Sequence, residues 1–136
     1  MFSLSLSMNK MEKEFVPYQQ SLALKELGFN EPCFRWYDER WGDDLQQDKF
    51  NTNKDLFMTD LDCSAPLYQQ AFRWFREKYN FCYFIRGNNY DGYSYNIDNL
   101  GLLQYKFEID YRFTFKTYEE AELACLIKLI EIIKNK

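Results

Sequence analysis

Aromatic side chains set the terms for any fold this chain can adopt. Thirteen Phe, 11 Tyr and 3 Trp make up 20% of its 136 residues. Each ring carries roughly 150–250 Å² of surface that must be buried or used for recognition, so ring spacing marks the elements of the core. A chain of this length buries about two-thirds of its unfolded surface in one compact domain. Disordered chains are poor in aromatics, so the composition argues for a packed core.

The spacing resolves into a series of elements. Residues 17–27 read as a first helix, because Pro17 suits a first turn and Gly28 suits the left-handed position beyond the last one. Residues 33–37 read as a short strand bounded by Pro32 and Asp38. A second helix is predicted over residues 65–79, with Ser64 as its cap and Pro66 in its first turn. Leu67, Ala71, Phe75 and Tyr79 recur every fourth residue, with Tyr68 and Phe72 beside them, which is a core stripe. Gln69, Arg73, Arg76 and Lys78 then point to solvent.

Three strands follow. Residues 81–86 and 93–97 flank a segment ending in Asp91-Gly92, a strong hairpin signal. The third lies within residues 105–115, where Phe107, Ile109, Tyr111, Phe113 and Phe115 alternate with polar residues. Thr117 and Glu120 form a capping box for a last helix, with apolar residues running from Ala121 to Ile133. Its apolar arc is wide enough to need two neighbours or a second subunit.

The expected fold is therefore a single small α+β domain over residues 11–136. Its order is helix, strand, loop, helix, three antiparallel strands, helix, with the helices on one face of the sheet. Met8 and Met11 are both in frame and MEKEFVPY suits a beginning, so residues 1–10 are expected to be an extension or flexible arm. The alternation of Phe2, Leu4 and Leu6 leaves an added edge strand open.

Charge is unevenly placed. The net is −4, from 17 Lys and Arg against 21 Asp and Glu. Segment 38–62 holds Asp38, Glu39, Asp43, Asp44, Asp48, Asp55, Asp60 and Asp62 against Arg40, Lys49 and Lys54, a local net of −5. Its composition predicts a long loop, broken by a strand around residues 56–58. A loop of this length is solvated, functional, or hides a missed element. Asp43, Asp44 and Asp48 are its candidate partner-binding residues, offered to a basic protein surface. A second candidate surface is Arg73 and Arg76, with Lys78 and Arg86 as a modest basic patch and Trp74 placed to stack. The competing reading is an ordinary helix face with aliphatic stems lying over aromatics.

Several chemistries find no support. The chain has no histidine, which removes His-based triads, His-ligated zinc or haem, and proton shuttling near neutral pH. Asn89, Asp91, Gly92 and Asp98 partly match a calcium loop, but Gly87 holds its first ligand position and strands flank it. Asp60 with Asp62, or Asp43 with Asp44, form carboxylate pairs with nothing nearby to complete a catalytic set. Only five glycines occur, none spaced for a phosphate loop. Cys33 and Cys63 lie at element edges with no base to activate them. No catalytic residue, metal ligand or cofactor is assigned, and the chain is expected not to be an enzyme.

Cys33, Cys63, Cys82 and Cys125 include no C-x-x-C pair, and read as reduced core residues. MFSLSLSM lacks a basic region and a continuous apolar stretch, so it makes a poor signal peptide. No apolar run approaches the roughly 18 residues that span a bilayer. A cytoplasmic location is expected.

Two resemblances bear on function. The order helix–strand–strand–strand–helix over residues 65–134 is similar to the double-stranded-RNA-binding domain. That family implies a lysine cluster opening its last helix, where this chain has Thr117, Tyr118, Glu119 and Glu120, which repel phosphate. Nucleic-acid binding stays a weak alternative. The stretches MEKEFVPYQQSLALKELGFNEPCF, APLYQQAFRWFREKY and TYEEAELACLIKLIEII resemble a family of small uncharacterised proteins from tailed phages, prophages and gut Bacteroidetes-type genomes. The resemblance covers most of residues 11–133 and implies no established activity. The expected function is a non-enzymatic phage or mobile-element accessory protein that binds a host or phage protein. The alternative is a structural or assembly protein that self-associates, a homo-oligomer through the last helix.

Overall fold

The computed structural model describes residues 11–88, 92–99, 108–109 and 114–135. The extension expected over residues 1–10, the hairpin tip at residues 89–91 and most of the third strand predicted within 105–115 lie outside them. The architecture is α+β with antiparallel strands, as the sequence predicts. The strands form two three-stranded sheets rather than one, and the chain divides into two compact units, residues 1–70 and 71–136.

In the first unit, helix α1 spans Tyr18–Glu26. Pro17 stands at its extended N-cap, and Gly28 takes φ 101° just past its end. Strand β1 spans Arg35–Tyr37 and lies between β2 (Leu45–Gln46) and β3 (Cys63–Ala65), antiparallel to both. The register sets Tyr37 opposite Leu45 on one side and Cys63 on the other. Phe15, Tyr37, Cys63 and Ala65 make a buried core, with Tyr18, Leu22, Leu45 and Leu67 packed around it. The Tyr37 hydroxyl is satisfied inside this core by donating to the Val16 carbonyl at 2.8 Å.

The acidic segment corrects the sequence reading. It is neither one long loop nor a loop with a strand at 56–58. Glu39–Trp41 form a 3₁₀ turn, β2 follows, and residues 52–62 run through successive turns closed by bonds such as Met58 N to the Asp55 carbonyl at 3.0 Å. Leu56 is fully solvent-exposed there. β3 was also hidden, because Ser64 reads as a helix cap. Ala65 precedes Pro66, which disfavours helical backbone at Ala65, and both Ser64 and Ala65 are in the strand.

Helix α2 therefore starts later than predicted, spanning Tyr68–Tyr79. The Gln70 side chain accepts from the Leu67 amide at 2.9 Å and stands in for the expected serine cap. In the second unit, β4 (Phe81–Asn88) pairs along its whole length with β5 (Gly92–Asn99). A third strand, β6 (Glu108–Ile109), pairs with β5 at Asn96 and Ile97. Gly92 is required at its position: its φ is +96°, and a Cβ there would collide with the Phe115 carbonyl.

Helix α3 spans Tyr118–Lys134, and Thr117 accepts from the Glu120 amide at 3.1 Å as the capping box predicts. The Glu120 carboxylate returns to the Lys116 amide at 3.2 Å rather than to Thr117. α3 packs on β4 and β5, burying Ala121, Cys125, Leu126, Leu129 and Ile130, while Ile127 stays exposed. Phe72 of α2 stacks on Tyr83 of β4 at 3.8 Å between centroids.

Candidate functional site

The ordered acidic segment builds a cleft of about 540 Å³ in the first unit. Its aromatic wall is Trp36, Trp41 and Phe57, and its polar lining includes Asp38, Glu39, Arg40, Asp48, Lys49 and Asp62. Trp36 sits mid-strand in β1 and is buried, so its ring is fixed from behind. Phe57 meets it edge-on with centroids 5.0 Å apart. Trp41 ends the 3₁₀ turn and is 59% exposed.

Two buried carboxylates hold the backbone around the cleft. Asp38 caps the 3₁₀ turn by accepting from the Arg40 amide at 2.9 Å, and grips the Arg40 guanidinium through Nε at 3.0 Å and Nη2 at 2.6 Å. That bidentate side-chain bond, with the backbone bond behind it, holds the Asp38 carboxyl below its usual range. Asp62 spends both oxygens on amides, Glu39 and Thr59, each at 2.9 Å. A charge-assisted bond to an amide is stronger than a neutral one, so Asp62 ties the start of the segment to its end while Asp38 fixes the 3₁₀ turn. They are committed to structure rather than offered for acid–base work.

The segment is also fastened from outside. Lys25 of α1 donates its ammonium to the carbonyls of Thr59 at 2.8 Å and Asp62 at 2.6 Å. The Tyr18 hydroxyl donates to the Leu61 carbonyl at 2.6 Å. Beneath β1, the buried Asn51 amide donates to the Arg35 carbonyl at 3.0 Å, and its oxygen accepts from the Ser64 hydroxyl. Asn53 links the Phe29 carbonyl at 2.8 Å to the Ser64 amide at 2.7 Å. Buried polar groups of this kind must be paired, and here the pairing orders a sequence that reads as solvated.

The predicted residues fall in different places. Asp48 lines the cleft, where the Trp36 indole donates to it at 2.8 Å and Lys49 approaches to 3.8 Å. The indole bond is the main reason its carboxyl lies below the ordinary value. Asp43 and Asp44 are exposed between the 3₁₀ turn and β2, outside the cleft lining. Arg73 and Arg76 are exposed on α2, and Arg73 reaches Glu77 at 4.0 Å. Trp74 is 7% exposed, set edge-on to Phe75 and Tyr79 with the Lys78 ammonium 5.0 Å from its ring centroid. Trp36, Trp41 and Phe57 are the cleft residues that charge counting passed over, and Lys49 entered it only as a charge; aromatics in and beside an acidic stretch were the available signal.

The cysteines are free, with Cys33, Cys63 and Cys125 buried. Burial pushes the Cys33 and Cys63 thiols up to about 12, and the Cys125 thiol upward too. They stay protonated at neutral pH, so none of the three supplies a thiolate nucleophile. Among the described residues, no helix is long and apolar enough to cross a membrane.

Comparison of the chain with protein-family models, with curated proteins and with solved structures finds no match.

Proposed function

We propose that the chain is a non-enzymatic accessory protein of a phage or mobile element, working in the bacterial cytoplasm, that binds a protein partner through segment 38–62. One observation carries this reading. Of the ten exposed large hydrophobic residues among those described, five (Trp41, Phe50, Leu56, Phe57 and Leu61) lie in this single acidic segment. Apolar side chains set among carboxylates on an anchored backbone suit a partner surface that is basic and partly apolar. The resemblance to phage and prophage proteins supports the setting, and the excess of acids disfavours a nucleic-acid partner.

The test is capture from bacterial lysate on the immobilised full chain, with bound proteins identified and eluted by salt. The reading expects a discrete basic partner whose recovery falls at least tenfold for Trp41→Ala/Phe57→Ala and several-fold for Asp43→Asn/Asp44→Asn/Asp48→Asn. Equal recovery on the wild type and both variants refutes it.

A second reading, self-association through α3, has one supporting observation: Ile127 is 43% exposed on an otherwise core-forming helix. Light scattering at high protein concentration separates the two, since a strict monomer removes the assembly role.

A further inference from the structure

Lys49 occupies the cleft of its own chain. Its ammonium lies 3.9 Å from the Phe57 ring centroid and 5.4 Å from that of Trp36, within cation–π range of both. Its ion pair with Asp48 is long, 3.8 Å, between side chains that are 42% and 62% exposed. Exposed contacts of these kinds are individually weak. The aromatic wall is thus already shaped around a cation, held by interactions that a competing cation can replace.

The rest of the lining favours positive charge. Of its four carboxylates, Asp38 is matched by Arg40 and Asp62 is spent on backbone amides. Glu39 and Asp48 are exposed, with Asp48 accepting from the Trp36 indole and paired only with Lys49 itself, and the exposed Trp41 ring adds a further face at the rim. We propose that this cleft receives a lysine or arginine side chain of the protein partner, and that Lys49 is its built-in competitor. The proposal rests on segment 38–62 being the partner-binding surface and names the chemistry that surface selects.

Three tryptophans make the test direct, since Trp36 and Trp41 line the cleft and Trp74 belongs to the other unit. The ¹⁵N-labelled full chain is titrated with acetyl-Gly-Arg-Gly-amide, with acetyl-Gly-Lys-Gly-amide, and with the uncharged citrulline analogue, following the indole N–H signals. The basic peptides are expected to shift the Trp36 and Trp41 signals saturably, with Trp74 unmoved and the citrulline peptide inert. Lys49→Met keeps the aliphatic stem and removes the competitor; loss of two weak exposed contacts should tighten binding about tenfold. Lys54→Met removes the same charge from the same segment away from the cleft, and should change affinity less than twofold. Unchanged amide signals of Val16 and Ser64, which lie in the same unit as the cleft, report that each variant is folded, and Lys49→Gln replaces Lys49→Met if they are not.

No saturable shift, or an equal shift with citrulline, overturns the cation site. A gain for Lys49→Met no larger than for Lys54→Met overturns the role of Lys49. These titrations use the purified chain and defined peptides, so their failure leaves partner capture from lysate standing, and failure of capture leaves the titrations interpretable.

Discussion

Asn51 is the residue whose loss should reveal most about the acidic segment. It is 3% exposed, and its amide faces three carbonyls: Arg35 at 3.0 Å, and Cys33 and Lys49 each at 3.4 Å. Its oxygen accepts from the fully buried Ser64 hydroxyl. Asn51→Ala removes the acceptor of that hydroxyl and a side-chain donor to the Arg35 carbonyl, which faces Ala65 in the β1–β3 ladder. The two longer contacts are at the edge of bonding distance and count for little. Losing the hydroxyl's buried acceptor costs about 1–3 kcal/mol and the lost bond to the carbonyl about 1 kcal/mol, so the variant should lose about 2–4 kcal/mol. Against a total stability of roughly 5–15 kcal/mol that is a large fraction.

Urea unfolding followed at the Trp36 and Trp41 indole signals reads the loss as a midpoint falling by about 1–2 M. Ser64→Ala removes one donor and should cost less, about 1–2 kcal/mol. The double variant should cost less than the sum, because the two residues share one bond. A cost below about 0.5 kcal/mol for Asn51→Ala, the scale of an ordinary surface change, would refute the claim that buried polar bonds order this segment.

Further outcomes follow from the same geometry. The carboxyls of Asp38 and Asp48 lie below the ordinary value of 3.8 when folded, so their contribution is fully present above that value and is lost as pH falls through the lower folded one. Acid titration of Trp36 fluorescence should show this transition, and Asp48→Asn should abolish the part due to the indole bond. At pH 8 an alkylating reagent should label the partly exposed Cys82 first, while Cys33, Cys63 and Cys125 react only on unfolding; mass-spectrometric mapping with early label on Cys33 or Cys63 would contradict their burial. Gly92→Ala forces a Cβ into a left-handed position against the Phe115 carbonyl. It should destabilise the second unit by about 1–3 kcal/mol, read by thermal melting; a neutral effect would contradict the turn geometry.

What the sequence made legible was whatever depended on apolar period and local signals. Thr117 with Glu120 marked the start of α3, Pro17 and Gly28 bracketed α1, and the Asp91-Gly92 turn signal placed the hairpin arms at residues 81–86 and 93–97. The rest was hidden for two physical reasons. In segment 38–62 the groups that face inward are polar: Asp38, Asn51 and Asp62 are buried, yet composition counts them as solvent-seeking. β2 and β3 are two and three residues long, too short for a period to show. Asp48 was named for its charge alone, whereas its position depends on the Trp36 indole, twelve residues away.

Hydrogen exchange across segment 38–62 tests the central claim most directly, that this acidic stretch is a built surface rather than a solvated loop. The account predicts slow exchange at the amides of Glu39, Arg40, Asn51 and Thr59, each held by a named acceptor, while the neighbouring Trp41, Leu56 and Phe57 side chains stay open to solvent. Exchange of all four at the rate of an unstructured peptide would contradict it.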